Sequence, residues 1–197
     1  IPSWVAAELV GRDLLESGAS DRARIVFEDA LQEAPLEAVA QRGWLCGLLA
    51  QARMVDGQYE RSQRAWREAL ELSLQAGLPA DADLCRLGLA TCCAHRGQRP
   101  KARAWAQSVL DGDGCTAARY RAAEQLLMLG GRWSAYRAAV VSSLSDHGWW
   151  GRRLQHAQAW ARSARLVGDY GQVQDANVWW GEASDGFARS GDVERAH

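Results

Sequence analysis

The chain has no excess of charge, almost no lysine and no long apolar run. Its 197 residues carry a formal net charge of −1, which gives no overall attraction to nucleic acid or to an anionic lipid surface. No apolar run approaches the roughly 18 residues of a membrane-spanning helix. Lys101 is the only lysine, a bias that either genomic codon usage or an arginine-rich recognition surface explains. Nucleic acid and membrane are therefore not expected as direct partners.

Cysteine is too sparse and too irregular for a disulfide framework. Five cysteines make an odd count without regular spacing. Most of them fall in apolar helical patterns, where a free thiol behaves as a small hydrophobe. The start of the chain also lacks the charged and then apolar segments of a secretory leader. A reducing cytoplasm is therefore the predicted location.

No pattern of nucleophile, base or metal ligands stands out. The chain has neither a phosphate-cradling glycine loop nor a G-x-S-x-G motif, and its four histidines have no nucleophile context. Cys92, Cys93 and His95 form the only metal-like cluster, but no second ligand pair follows at zinc spacing, which favours core packing. The loop at 111–114 begins like a calcium loop, yet Ala122 stands where a bidentate glutamate is needed. The sequence therefore predicts no catalytic residue, no metal and no cofactor.

What the sequence has instead is a repeat. A glycine recurs where two helical patterns meet, at Gly18, Gly57, Gly97, Gly130 and Gly168, with gaps of 39, 40, 33 and 38 residues. A period in this range indicates a solenoid, because each unit has an apolar face that only its neighbours can cover. No segment shows the period-two alternation of a strand. The predicted fold is an all-α, right-handed solenoid of about five antiparallel helix pairs.

Local signals place the ends of several helices. Ser3 can cap the first helix, Pro35 ends the second, and Pro100 fits the first turn of the sixth. The predicted ninth helix starts near Trp149 and the tenth near Tyr170. The predicted units cover 3–35, 36–78, 80–112, 115–147 and 149–191, and a further helix starts at 192–197.

The repeat resembles the tetratricopeptide family, whose signature reads W-x2-L-G-x2-Y, then A-x3-F, then P. The first unit carries Ala7-x2-Val10-Gly11-x2-Leu14, then Ala23-x3-Phe27, then Pro35, and the second carries Cys46-x2-Leu49-Ala50-x2-Arg53, then Ser62-x3-Trp66. The resemblance implies that small residues at Gly11 and Ala50 face Ala23 and Ser62, while Phe27 and Trp66 fill the space toward the next unit. Periods near 39 exceed the usual 34 and resemble the repeats of large bacterial signalling proteins, including transcriptional activators.

In this family the first helix of each pair lines the concave face. The resemblance assigns eight residues to that face: Glu8, Arg12, Trp44, Gln51, Thr91, His95, Gln158 and Arg162. Such a mixture suits an extended peptide or a partner helix better than a small apolar ligand. Some members of the family bind a terminal carboxylate with a clamp of basic residues. Glu8 is acidic at the first matching position, which argues against such a clamp in this chain. A solvated inner wall with no dedicated ligand is the alternative.

Ten tryptophans call for a structural explanation. Four of them, Trp66, Trp105, Trp133 and Trp160, have the spacing of inter-helix packing residues. The doublets Trp149-Trp150 and Trp179-Trp180 cannot both face inward, because neighbours on a helix lie about 100° apart. One member of each doublet is therefore expected to be exposed. Trp179, Trp180 and Phe187 also predict an exposed apolar patch near the C-terminal end, available for self-association or for further repeats.

The resemblance implies a non-enzymatic, protein- or peptide-binding module of a larger cytoplasmic, bacterial regulatory protein with a role in signalling or transcription regulation. Because the chain begins at Ile1 and its last residues open another helix, it is expected to be a piece of a longer protein. A static scaffold or oligomerisation domain without an effector is the alternative. An α/α-barrel enzyme fits least, because it needs more length and paired acids at the barrel mouth.

Overall fold

The computed structural model describes residues 3–112, 116–145, 153–169 and 173–190, and every regular element in these ranges is an α-helix. The helices are α1 (Ser3–Glu16), α2 (Ser20–Glu33), α3 (Val39–Val55), α4 (Tyr59–Gln75), α5 (Pro79–His95), α6 (Arg99–Leu110), α7 (Thr116–Met128), α8 (Trp133–Ser145), α9 (Arg153–Asp169) and α10 (Val173–Ser190). The prediction of an all-α chain of helix pairs is confirmed.

Glycine ends the helices where the sequence predicted turns. Gly57 has a φ of +71°, its N–H donates to the Met54 carbonyl at 3.0 Å, and the Gln58 N–H donates to the Arg53 carbonyl at 2.8 Å. These two hydrogen bonds form the Schellman motif, which needs a residue in the left-handed conformation and therefore favours glycine. Positive φ angles recur at Gly18, Gly97 and Gly130, as predicted. Gly168 lies inside α9, next to its last residue, and residues 170–172 are outside the described ranges.

The same turn also joins the second helix pair to the third, where the sequence predicted that Gly77 ends the fourth helix. Gly77 has a φ of +69° and stands between α4 and α5, where the Leu78 N–H donates to the Ser73 carbonyl at 2.9 Å. The three helices α3, α4 and α5 each have 17 residues. With identical turns between them, the middle of the chain repeats at the level of single helices as well as pairs.

Residues Ile1–Arg132 form the first of two compact units. Within it each of the helices α1 to α7 packs on the next one in sequence. The odd-numbered helices also pack on each other in succession, α1 on α3, α3 on α5 and α5 on α7. The odd-numbered helices therefore share one layer, as the first helices of stacked helix pairs do.

The packing positions of this unit are those that the resemblance implied. Phe27 is fully buried in a cluster with Ala23 and residues of α3. A Cβ on Gly11 would lie only 2.3 Å from Cε1 of Phe27, so the phenyl ring packs on the backbone of α1. The Ser62 hydroxyl donates to the Ala50 carbonyl at 2.7 Å, which joins the small surfaces of α3 and α4. These packing predictions are confirmed.

The second compact unit is Trp133–His197, and its start falls within the predicted unit 115–147. α10 packs along α9, and α8 contacts α9. The ring of Trp179 meets that of Trp160 edge to face at a centroid distance of 5.7 Å. Trp179 is 2% exposed and Trp180 is 47% exposed, which confirms the prediction for this doublet. Trp149 and Trp150 lie outside the described residues, as does the side chain of Trp133.

The exposed apolar patch predicted near the C-terminal end lies only partly within the described residues. Val178 and Trp180 are both exposed. Because residues two positions apart on a helix are separated by about 200° around its axis, these two side chains lie on different sides of α10. Glu182 and Asp185 are exposed beside them. The side chain of Phe187 and residues 191–197 are outside the described part, and self-association through this end stays a prediction.

Candidate binding groove

The first unit has a groove of about 690 Å³ along its layer of odd-numbered helices. We call it the main groove. It is lined from α1 by Arg12 and Leu15, from α7 by Arg121 and Gln125, and from α3 and α5 by a larger set that includes Trp44, Gln51, Met54, Leu84 and Thr91. Two lining residues, Trp66 and Ser73, come from the even-numbered helix α4. The volume falls in the range of ligand sites in proteins.

Glycines in α3 and α5 give the main groove its floor. A Cβ on Gly88 would lie 2.3 Å from Cε2 of Trp66, and one on Gly47 would lie 3.3 Å from Cζ3 of the same ring. The indole is therefore held between the backbones of two neighbouring helices, and it is 5% exposed. Sequence reasoning assigned Trp66 to packing alone and missed its place in the groove. The signal that could have revealed it was glycine inside a helical pattern, at Gly43, Gly47 and Gly88.

Polar groups at the α5 and α7 side of the main groove are partly paired. The Gln125 amide donates from Nε2 to Oγ1 of Thr91 at 2.8 Å and to the Leu87 carbonyl at 3.3 Å. Its Oε1 atom is buried and, like the buried Nε1 of Trp66, has no hydrogen-bond partner among the described residues. This side of the main groove therefore places amide and hydroxyl side chains beside an apolar wall.

Four of the predicted residues come together in the main groove: Arg12, Trp44, Gln51 and Thr91. Glu8 lines a neighbouring cavity of about 400 Å³, which we call the side pocket. Trp44 and Asp81 line both cavities, and Glu8 lies 3.6 Å from Arg12 across their border. That these residues bind a partner stays a prediction.

The other three predicted residues are not on these walls. His95 stacks on Tyr59, with ring centroids 4.7 Å apart and planes 4° from parallel, and it lines neither cavity. The difference arises because His95 is the last residue of α5, where the chain already turns toward α6. Gln158 and Arg162 lie on α9 in the second unit, with Arg162 exposed and Gln158 half-buried.

The buried cysteines pack as the sequence predicted. Cys92 and Cys93 have no exposed surface. The Cys92 sulfur lies 3.2 Å from the Ser62 hydroxyl, and the Gln63 amide donates to the Cys93 sulfur at 3.2 Å. Among the residues that the structure describes, no three His, Cys, Asp or Glu side chains group as a metal site.

Burial also holds the thiols in the protonated form. It raises the pKa of Cys46 to about 12 and that of Cys85 to about 11. Cys85 lines the main groove, but at neutral pH its thiol stays neutral and is a poor nucleophile. The groove is therefore suited to contact and not to thiol chemistry.

No helix in the described ranges is long and apolar enough to cross a membrane. Neither a family model nor a curated protein matches the sequence. Solved structures do match the fold. BtubC (BKLC) from P. vanneervenii superposes with a TM-score of 0.68 at 14% identity, over 94% of this chain and 80% of that one.

Two further structures extend the comparison. The putative kinesin light chain TPR-like repeats of Podosopora anserina give a TM-score of 0.64 at 14% identity, over 95% of each chain. The Rap conjugation gene regulator of plasmid pLS20, solved in complex with the Phr* peptide, gives 0.67 at 15% identity, over 94% of this chain and 53% of that regulator. This chain thus spans about half of the regulator. At these identities the likeness concerns the fold, and the chain has the helix-pair repeat fold of the tetratricopeptide type.

Proposed function

We propose that the chain is a peptide- or protein-binding helical-repeat module whose ligand lies in the main groove. The observation that carries the proposal is the groove itself, about 690 Å³ in volume and lined by four successive helices of one layer. Its walls combine aromatic, aliphatic and amide side chains, which suits an extended peptide with alternating apolar and polar contacts.

We further propose that this module is the partner-sensing segment of a larger cytoplasmic regulator, with a transcriptional regulator as its specific form. The support is the shared fold with the Rap conjugation gene regulator, whose structure holds a Phr* peptide. A module that orders its helices around a ligand can pass the binding energy to a neighbouring domain, since adjacent repeats are coupled through their interfaces.

Selection of a displayed library of random short peptides on the purified chain tests the groove. The enriched peptides are synthesised and titrated by calorimetry against the wild type and two variants. Gln51→Trp fills the main groove at an exposed position. The matched control, Gln32→Trp, adds the same side chain to an exposed position of α2 that lines neither cavity.

We expect Gln51→Trp to weaken binding at least about tenfold, the scale of one lost contact residue in an interface, and Gln32→Trp to leave it unchanged. Equal affinities in the two variants would place the peptide elsewhere. If no peptide is enriched above the level of an unrelated protein, the groove is not a peptide site, and the static scaffold becomes the better interpretation.

A further inference from the structure

The side pocket combines two indole rings with two carboxylates. Trp4 and Glu8 come from α1, Trp44 from α3 and Asp81 from the first turn of α5, with Leu45 and Leu78 completing much of the wall. Among the residues that the structure describes, Glu8 and Asp81 are the only charged ones that line it. The charged groups of these lining residues are therefore both negative, and they lie beside two aromatic side chains.

This composition favours one kind of ligand group. A cation over an indole face is attracted by the negative face of the ring, and a nearby carboxylate adds a direct charge interaction. Arginine fits best because its planar guanidinium stacks on aromatic rings and donates to carboxylates at the same time. A lysine ammonium satisfies the same two interactions. An anionic or purely apolar side chain would leave the carboxylates facing it unpaired.

The carboxylates are not already neutralised by strong internal partners. Asp81 makes no ion pair or hydrogen bond with any residue in the described ranges. Glu8 has one cationic neighbour, Arg12, at 3.6 Å, and the side chains of the two residues are 35% and 50% exposed. An exposed pair at this distance contributes little. Both carboxylates are therefore available to an incoming cation.

The side pocket lies next to the main groove, since Trp44 and Asp81 line both. A peptide lying in the main groove can therefore insert one side chain into the side pocket without leaving its path. Arg12 lines the main groove on the other side of the border, so its guanidinium is free to meet a carbonyl or carboxylate of the same peptide once Glu8 binds the ligand cation.

We propose that the side pocket binds a basic side chain, arginine or lysine, of the peptide that occupies the main groove. This inference rests on the proposed function, because the peptide brings the cation to the pocket. It names a specificity determinant: one basic residue at a fixed position, next to residues whose apolar side chains face Trp44 and Leu84 in the main groove.

The test reads the sequences of peptides selected on the wild-type chain. We expect arginine or lysine to be enriched at one position. The best peptide is then compared with its norleucine analogue at that position, on the wild type and on the double variant Glu8→Gln, Asp81→Asn. Replacing the cation should weaken binding to the wild type about tenfold, the scale of a partly desolvated cation–π contact with a nearby charge. In the double variant both indoles remain, so the same replacement should weaken binding only about two- to fivefold, the scale of a cation–π contact alone.

The matched control is Asp13→Asn with Asp21→Asn. Asp13 is exposed on α1, the helix of Glu8, and Asp21 lies in the first turn of α2, as Asp81 does in α5. None of the control positions lines the side pocket. This protein should keep the tenfold preference for the basic peptide. If the double variant melts below the control, the single variant Glu8→Gln gives the same comparison on a solvent-accessible side chain.

Two outcomes overturn the inference, and they are distinct. In the first, the selected peptides bind more weakly to Gln51→Trp but carry no basic residue at a fixed position, or the norleucine analogue loses as much affinity for the double variant as for the wild type. The side pocket then does not bind a basic side chain, while the main groove is still the peptide site. In the second, no selected peptide binds Gln51→Trp more weakly than the wild type. The proposed function is then wrong, and the inference fails with it.

Discussion

The indole of Trp66 in α4 packs on the backbone of Gly88 in the next helix, α5. A Cβ on Gly88 would lie 2.3 Å from Cε2 and 2.5 Å from Cδ2 of the ring. Real Cβ atoms do not approach ring carbons so closely, so no larger residue fits at position 88 without moving the ring or the helix. The contact links α4 to α5 and sets the depth of the main groove.

Gly88→Ala should therefore destabilise the chain, although alanine is the better helix former. We expect a loss of about 1–3 kcal/mol in the free energy of unfolding, the range for overpacking a close-packed core. The measurement is urea unfolding followed by circular dichroism. The control is Gly181→Ala in α10, where a Cβ would meet no heavy atom within 4 Å. There the better helix propensity should stabilise by about 0.5–1 kcal/mol, and the same sign in both variants would contradict the packing described here.

Phe27→Ala should be the costliest single truncation in the first helix pair. The ring is fully buried against Gly11 and residues of α3, and removing a buried phenyl ring costs about 3–5 kcal/mol. Ile25→Ala on the same helix, where the side chain is 50% exposed, should cost less than about 1 kcal/mol.

Because a repeat array loses stability unit by unit, the loss in Phe27→Ala should appear first as faster amide exchange in α1 and α2. Hydrogen exchange detected by mass spectrometry measures this. Uniform acceleration across α1 to α7 would instead show that the first unit unfolds as a single cooperative block.

The buried Cys46 thiol should make stability fall in alkali. Burial raises its pKa from the ordinary 9.0 to about 12. Below pH 9 the thiol is neutral in both the folded and the unfolded chain, so it adds no pH dependence. Between pH 9 and about 12 only the unfolded chain ionises, which favours unfolding by up to about 1.4 kcal/mol per pH unit.

Cys46→Ala removes the pH dependence of stability that this thiol causes. The free energy of unfolding of the variant should therefore fall less steeply than that of the wild type as the pH rises above 9, when both are measured in urea at a series of pH values. Other groups titrate in both proteins and cancel in the difference. Parallel curves would mean that the Cys46 thiol ionises as readily in the folded chain as in the unfolded one.

Much of the fold was predictable because helices and their ends depend on residue patterns over short stretches of sequence. A glycine after an apolar helical stretch favours the left-handed end of a helix, and Gly18, Gly57, Gly97 and Gly130 adopt it. Pro100 lies in the first turn of α6 because the missing N–H costs nothing there. The small residues Ala50 and Ser62 meet because their spacing along α3 and α4 places both on the facing sides of the helix pair.

The candidate groove was predictable only in part. Arg12, Trp44, Gln51 and Thr91 lie together because residues at equivalent positions of stacked helices share a face. His95 shows the limit of that rule, since one turn at the end of α5 moved it from the groove wall to a stack on Tyr59. The position of a residue within the repeat predicts which face of its own helix it occupies. It does not predict which residues of the neighbouring helices contact it.

The sequence by itself determined the helices, their ends and their pairing, because these follow from backbone and side-chain preferences within a few residues. Only the tertiary structure decided that Trp66 lies between Gly47 and Gly88 and that Trp4, Glu8, Trp44 and Asp81 share one pocket. These residues are up to 77 positions apart in the sequence. Their meeting depends on the distance and angle between packed helices, which the close fit of many side chains fixes together.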